Sequence, residues 1–363
     1  MSVPLFVSER SKPKITTQPL SVGCLIFARM DQIDFTGPFE VLSRMPDTSI
    51  QIIGKEVAPV RDVQGLLLSP DVSIAKATLL DVLLVPGGYG QQALMHDEEV
   101  LELIRNHVQR EKLLFSVCTG ALLCGAAGVL RGRQVTTHWS ARHLMRYYGA
   151  QLVDARVAVD GNIISAAGVT AGLDAAFVLV SLLRGDAAAQ EIQLAIEYAP
   201  NPIFHSGTPE SAPSEVLKSF QEKYGPIGTA REAEAIRILI EQAYSAFNKR
   251  DIDGALALMT QDVSWPKASE GGRVVGKEEI RAYWTRQWSE FDPHVEPIAI
   301  TEGEGGKVRV RVHQLVKSLQ GDVLSDSEVL HVFTLNNGLI AAMNLGDKAV
   351  PTAGPSAAFP HRP

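Results

Sequence analysis

A thiol, a carboxylate and a pair of glycines are the groups in this chain whose surroundings suit chemistry. Cys118 ends the apolar run Leu113-Leu114-Phe115-Ser116-Val117 and begins the small-residue run Thr119-Gly120-Ala121-Leu122-Leu123-Cys124-Gly125-Ala126-Ala127-Gly128. A buried strand turning so tightly into a helix is a nucleophile elbow: the side chain at the turn points out of the sheet, towards the unpaired N–H groups and positive dipole end of the helix. Helix N-termini lower a cysteine pKa from about 8.5 to roughly 3.5–7.5, so the position favours a thiolate. A lone cysteine can also be a small apolar core residue; the order strand, cysteine, Gly-containing helix is what favours the elbow. Thr119 follows the thiol, where a Cys-His peptidase would want an imidazole as general base.

Asp34, in Gln32-Ile33-Asp34-Phe35-Thr36-Gly37-Pro38, follows the first apolar strand, and Pro38 suits the first turn of a helix. An acid and a thiol at the ends of two strands would converge above the sheet; a helix-capping carboxylate is the alternative for Asp34. Glu40, one to two turns on, reads as a partner of its own helix or of a surface cation. Pro86-Gly87-Gly88-Tyr89 closes another apolar strand. The amides of Gly87 and Gly88 could join that of Thr119 in an oxyanion hole, although a simple turn explains a Gly-Gly pair equally well. His138, in Thr136-Thr137-His138-Trp139, either orients a thiolate or is a satisfied structural histidine. Cys24 and Cys124 read as core. No His/Cys/carboxylate cluster has metal-ligand spacing, and residues 120–128 lack both the Lys-Ser/Thr pair and the dinucleotide spacing, so no metal, nucleotide or other cofactor is expected.

These groups need a frame, and residues 21 to about 183 supply an alternating one. Strands are predicted over 22–27, 49–53, 80–85, 113–117 and 162–166, and helices over 98–110, 119–128, 140–148 and 171–183. Such interleaving indicates a parallel sheet covered on both faces, with the site outside the carboxyl ends of its strands. The Pro-, Ser- and Gly-rich stretch 199–213 closes this domain, placed at 20–213, and a helical linker is expected over 214–228. From 229 to 350 the pattern changes to helices followed by strands: Ile236, Ile240, Ala243, Tyr244 and Phe247 share a helical face, Val308, Val310 and Val312 alternate with polar residues, and Asn337-Gly338 marks a hairpin. That order indicates an α+β domain whose sheet curls around its helices. Residues 1–19 read as a flexible leader and 351–363 as a flexible tail. The 363 residues are 45% hydrophobic and 21% charged with a net charge of −7, and carry no Lys/Arg block that would follow a phosphate backbone, which excludes nucleic acid as the expected partner. No run approaches the ~20 apolar residues of a membrane-spanning helix. Three cysteines form an odd, sparse set suited to a reducing compartment, with the cytoplasm as the default.

Residues 21–213 resemble the isonitrile hydratases, a branch of the PfpI-type superfamily with a glutamine-amidotransferase-like, flavodoxin-like fold. The resemblance runs through the segments around Asp34, Gly87-Gly88, Cys118-Thr119 and Thr137-His138, and through Ala126-Ala127-Gly128-Val129-Leu130, Gly168-Val169-Thr170-Ala171-Gly172-Leu173-Asp174 and Ile196-Glu197-Tyr198-Ala199-Pro200. It implies Cys118 as nucleophile, Asp34 as the facing acid and base, Thr119 as a required hydroxyl, and hydration of an isonitrile to an N-substituted formamide without a cofactor. Tyr89 is bulkier than the branch carries at that place and would bear on substrate size. A glyoxalase- or deglycase-like hydratase of small carbonyls would use the same thiol, with a glutamate facing it; a ligand or redox sensor that kept the thiol is a third reading. Residues 229–347 resemble the SnoaL-like, ketosteroid-isomerase-like cone domains, on pieces such as Ala246-Phe247-Asn248-Lys249-Arg250-Asp251 and Gly276-Lys277-Glu278-Glu279-Ile280. Tyr283, Trp288, His313 and His331 could line a pocket there, and since cones pair through the open face of their sheet, a homodimer acting on a small molecule is expected.

Overall fold

The computed structural model describes residues 5–11, 15–267 and 270–346, and the chain forms two compact units that divide between Ile238 and Leu239. In the first, eight strands form one sheet in the order Leu5–Val7, Val157–Asp160, Ile163–Ala166, Leu113–Val117, Val82–Val85, Leu20–Leu25, Thr48–Gly54, Val72–Ser73. Every neighbouring pair is parallel except Val157–Asp160 with Ile163–Ala166. The two central strands, Leu113–Val117 and Val82–Val85, are buried at every position, as unbroken apolar runs in a sheet covered on both faces must be. This is the flavodoxin-like α/β architecture. Because the strands ending before Cys118, before Gly87 and before Asp34 are consecutive neighbours, their carboxyl ends bring all three to one place.

Several local expectations change. Leu5–Val7, expected within a flexible leader, pairs with Val157–Val159 along the open sheet edge, and the Ser8 hydroxyl donates to Asp160 Oδ1 at 2.6 Å. The helix bearing Asp34 is Gln32–Leu42, so Pro38 sits inside it and not in its first turn, and the Asp34 carbonyl loses its i+4 donor. Trp139–Tyr148 is a 3-10 helix capped by His138. The expected linker and the helix after it are one helix, Ser214–Asn248; Pro226 withdraws the donor to the Glu222 carbonyl without ending it. The tail 351–363 lies outside the described residues.

The second unit is an α+β cone, a sheet curled beside its helices. Its six strands run in the order Arg273–Val275, Met259–Pro266, Leu339–Gly346, Val323–Asn336, Val308–Ser318, Phe291–Glu302, beside the helices Ile252–Ala257 and Lys277–Glu290. The meander is antiparallel, but Met259–Pro266 joins Leu339–Gly346 in parallel. Asn337 and Gly338, both at positive φ (48° and 77°), form the tight turn their types favour. Val308, Val310 and Val312 are buried while Arg309, Arg311 and His313 are not, the alternation of a half-exposed strand.

Candidate active site

Cys118 sits at φ +57°, a left-handed conformation rare outside glycine and worth about 1–3 kcal/mol of strain. The surroundings hold it there: its N–H is shared between the carbonyls of Ala166 (3.1 Å) and Ala167 (2.9 Å), and its own carbonyl accepts the Thr137 hydroxyl at 2.7 Å. The turn is therefore a strand-to-helix elbow, with Cys118 7% exposed as a residue.

Asp34 is wholly buried behind the thiol. Its Oδ2 accepts the Gly87 N–H at 2.9 Å, while Oδ1 has no well-aligned hydrogen bond, so the Cys118 thiol acts on the carboxyl only as a weak sulfur donor. Burial, then the charge of Asp31, pushes the Asp34 carboxyl up to about 8 against the opposing Gly87 N–H and thiol, so it holds its proton at neutral pH. Burial, and after it the Asp34 charge, also pushes the Cys118 thiol well up, although the N–H groups of Val169 and Thr119 and the Arg231 guanidinium pull the other way. The expected low-pKa thiolate is thus corrected: the helix Gly120–Ala126 spans only two turns, and desolvation outweighs its dipole. At rest the site holds a neutral acid beside a neutral thiol.

The oxyanion hole expected of Gly87 and Gly88 is not open. The Gly87 amide is given to Asp34 and the Gly88 amide to Thr119 Oγ1 at 3.0 Å, so the two glycines position the acid and the hydroxyl. Glycine is required for the approach: a Cβ on Gly87 would lie 2.5 Å from the Thr119 amide nitrogen, and one on Gly88, at φ +117°, 2.3 Å from that of Asp31. Glu40 pairs with Arg44 on the surface, away from this cluster, and Cys24 and Cys124 are core residues.

Cys118, Thr119, Gly88, Tyr89 and His138 line one cavity of about 500 Å³; Asp34 and Gly87 stand behind its wall. His138 Nδ1 accepts the Ser140 N–H (3.3 Å) as a helix cap, which leaves the ring proton on Nε2, and burial lowers its pKa to about 4, so the ring is neutral. The remaining wall comes from the helix Ser214–Asn248, of which the sequence suggests a linker over 214–228 and the start of the cone domain beyond it. Trp139 packs on Phe220 (4.9 Å between centroids), Phe220 on Tyr224 (4.5 Å) and Tyr224 on Tyr89 (6.4 Å). Arg231 completes it, 9% exposed, donating to the Gly88 carbonyl at 3.3 Å. The signal was present: Phe220, Tyr224, Ile227 and Arg231 share one helical face at spacings of four, three and four.

The cone unit has its own cavity, about 280 Å³ and walled by aromatic rings. Tyr283 and His331 line it as anticipated. Tyr244 Oη and His331 Nδ1 meet at 2.8 Å, and burial lowers the His331 pKa to about 4. His313 instead pairs with Asp326 at 2.7 Å outside the cavity, and Trp288, which does not line it, stacks on Trp284 and meets Phe247 edge-on. Among the described residues no group of three or more His, Cys, Asp or Glu is arranged to hold a metal ion, and no helix is long and apolar enough to cross a membrane.

Comparison with known proteins finds the DJ-1/PfpI family matched over residues 21–182 and the SnoaL-like domain over 240–343. An isonitrile hydratase of Pseudomonas putida is 42% identical over 207 residues, 57% of this chain and 91% of that protein. A glutathione-independent glyoxalase of Caenorhabditis elegans is 27% identical over 134 residues, 36% of this chain and 72% of that one. The crystal structure of a ThiJ/PfpI family protein from Pseudomonas syringae covers 61% of this chain and 92% of its own, with a TM-score of 0.59 and 34% identity.

Proposed function

The chain belongs to the DJ-1/PfpI family, with a SnoaL-like domain following its α/β unit, and on that premise we propose that it hydrates isonitriles to N-substituted formamides through Cys118, Asp34 and Thr119. The observation that carries this is the neutral Asp34 carboxyl set beside the Cys118 thiol. Hydration of R–N≡C begins with a 1,1-addition, in which the new C–S and C–H bonds form at the same carbon. Nucleophile and proton donor must therefore stand side by side. A carbonyl takes its charge on oxygen, at the far end of the bond, and would call for free oxyanion donors; here the Gly87 and Gly88 amides are already engaged. This favours the isonitrile over the glyoxalase-like reading.

The sulfur of Cys118 bonds to the terminal carbon while Asp34 gives its proton to that carbon and receives the one the thiol releases, leaving R–N=CH–S–Cys118. Water then adds to this thioimidate carbon, with Asp34 giving its proton to the nitrogen and taking the one the water releases. The tetrahedral adduct R–NH–CH(OH)–S–Cys118 collapses: the C–S bond breaks, the hydroxyl proton returns to sulfur by way of Asp34, and R–NH–CHO leaves. The Thr119 hydroxyl, bonded to Gly88, keeps the loop in register with the elbow. The cone domain aids assembly or substrate capture, and the working unit is a cytoplasmic homodimer, which light scattering would test. The decisive experiment incubates the purified protein with alkyl and aryl isonitriles and follows formamide by mass spectrometry; absence of product from every member would overturn the assignment.

A further inference from the structure

Among the described residues, Arg231 is the one Lys or Arg lining the cavity that holds Cys118, and Asp31 is its one acid. Arg231 is buried, the residue 9% exposed; its guanidinium donates to the Gly88 carbonyl at 3.3 Å and lies over the Tyr89 ring at 5.7 Å from its centroid. Among the described residues no carboxylate pairs with it: Asp31 serves as the cap of Gln32–Leu42, accepting the Ile33 N–H at 3.1 Å. Of the cavity histidines, burial holds His138 neutral and lowers His143. A guanidinium has five N–H donors, and one backbone carbonyl leaves the rest without a protein acceptor among the described residues, beside the rings of Trp139, Phe220 and Tyr224 in the cavity lining. A buried charge without a counter-charge is costly, and the cost is removed when a ligand brings the opposite charge. Planar, two-pronged donation suits a carboxylate.

We propose that Arg231 is an anion subsite, and that the substrate is an isonitrile bearing a carboxylate, held by Arg231 with its terminal carbon at Cys118. The isonitrile part rests on the hydratase reading; the subsite does not. The test uses the full chain and two alkylating agents of nearly equal size and the same leaving group, iodoacetate and iodoacetamide, with Cys118 labelling followed by peptide mass spectrometry. The expected result is that the iodoacetate-to-iodoacetamide rate ratio falls about ten-fold in Arg231→Gln, the scale of one lost charge-assisted hydrogen bond, and recovers in part in Arg231→Lys. If Arg231 only steadies the Cys118 thiolate, both reagents slow equally and the ratio stays constant; that result overturns the proposal. Should Arg231→Gln fail to fold, protection of Cys118 in the unaltered chain decides: acetate slowing iodoacetamide labelling where acetamide does not supports the subsite, and equal protection refutes it. A ratio that falls as expected while no isonitrile is turned over would sink the hydratase reading and leave the subsite standing. Turnover of neutral isonitriles with an unmoved ratio would sink the subsite alone.

Discussion

Replacing Asp34 by asparagine should make the protein more stable and less active, and the size of the first effect follows from the site. The carboxyl is wholly buried with its pKa raised from an ordinary 3.8 to about 8. Between those values the folded chain keeps a proton that the unfolded chain releases, so stability is greatest below the unfolded pKa and declines as pH rises towards 8. The slope is about 1.4 kcal/mol per pH unit, so near neutrality, roughly three units above the unfolded value, holding that proton costs about 4 kcal/mol. Asparagine offers an oxygen to the Gly87 N–H and carries no such cost. Asp34→Asn should therefore match the parent near pH 4 and exceed it by several kcal/mol near pH 8, every other titration being common to both chains. Cys24 and Cys124, both fully buried in the first unit, report its unfolding when their labelling is followed against urea concentration. A stability difference that does not change with pH would refute the claim that Asp34 is proton-loaded at rest. In the same variant, loss of proton transfer should lower turnover by roughly 10²- to 10⁴-fold.

Cys118→Ser should abolish formamide formation while Cys24→Ser and Cys124→Ala keep most of it; equal losses in three folded variants would remove the elbow from the reaction. Thr119→Val leaves the Gly88 N–H without its acceptor and should cost about 1–3 kcal/mol in stability together with a fall in kcat, both absent if the hydroxyl is idle. A chain ending after Ile238 keeps Arg231 and the aromatic wall, whereas one ending at Tyr224 loses Ile227 and Arg231; single-turnover rates should survive the first cut and drop at the second. In the cone, burial lowers His331 to about 4 from 6.5, so the unfolded chain binds a proton first as the solution acidifies: stability is full above 6.5 and is lost between there and about 4, by up to about 3 kcal/mol. His331→Gln should flatten that acid limb in a urea titration followed by tryptophan fluorescence.

The strand ends that carry the candidate site were legible in the amino-acid sequence because each terminates an apolar run that can only be a buried strand: 113–117 is observed at the bounds read from it, and Cys118 sits at the elbow expected of it. Three things were not legible. The thiol's ionisation is the balance of a local dipole against burial, and burial belongs to the tertiary structure. The glycine amides read as free donors because their partners, Asp34 and Thr119, lie 53 and 31 residues away. The third was the cavity wall on Ser214–Asn248, where Gly225-Pro226-Ile227-Gly228 carries breaker signals that the helix overrides, hiding the stripe from Phe220 to Arg231.

That stripe divides the labour between chemistry and choice. The Cys118 thiol and the Asp34 carboxyl are held by the elbow and by the Gly87-Gly88 turn, whose glycines admit no Cβ, so natural drift or directed evolution has little room there. Phe220, Tyr224 and Arg231 project from a helix, where side chains can be exchanged one at a time without disturbing the backbone. Under the proposed hydration, a library restricted to these three positions should shift which isonitriles are accepted while leaving Cys118, Asp34 and Thr119 in place, and the same segment is where related chains with different preferences should diverge first.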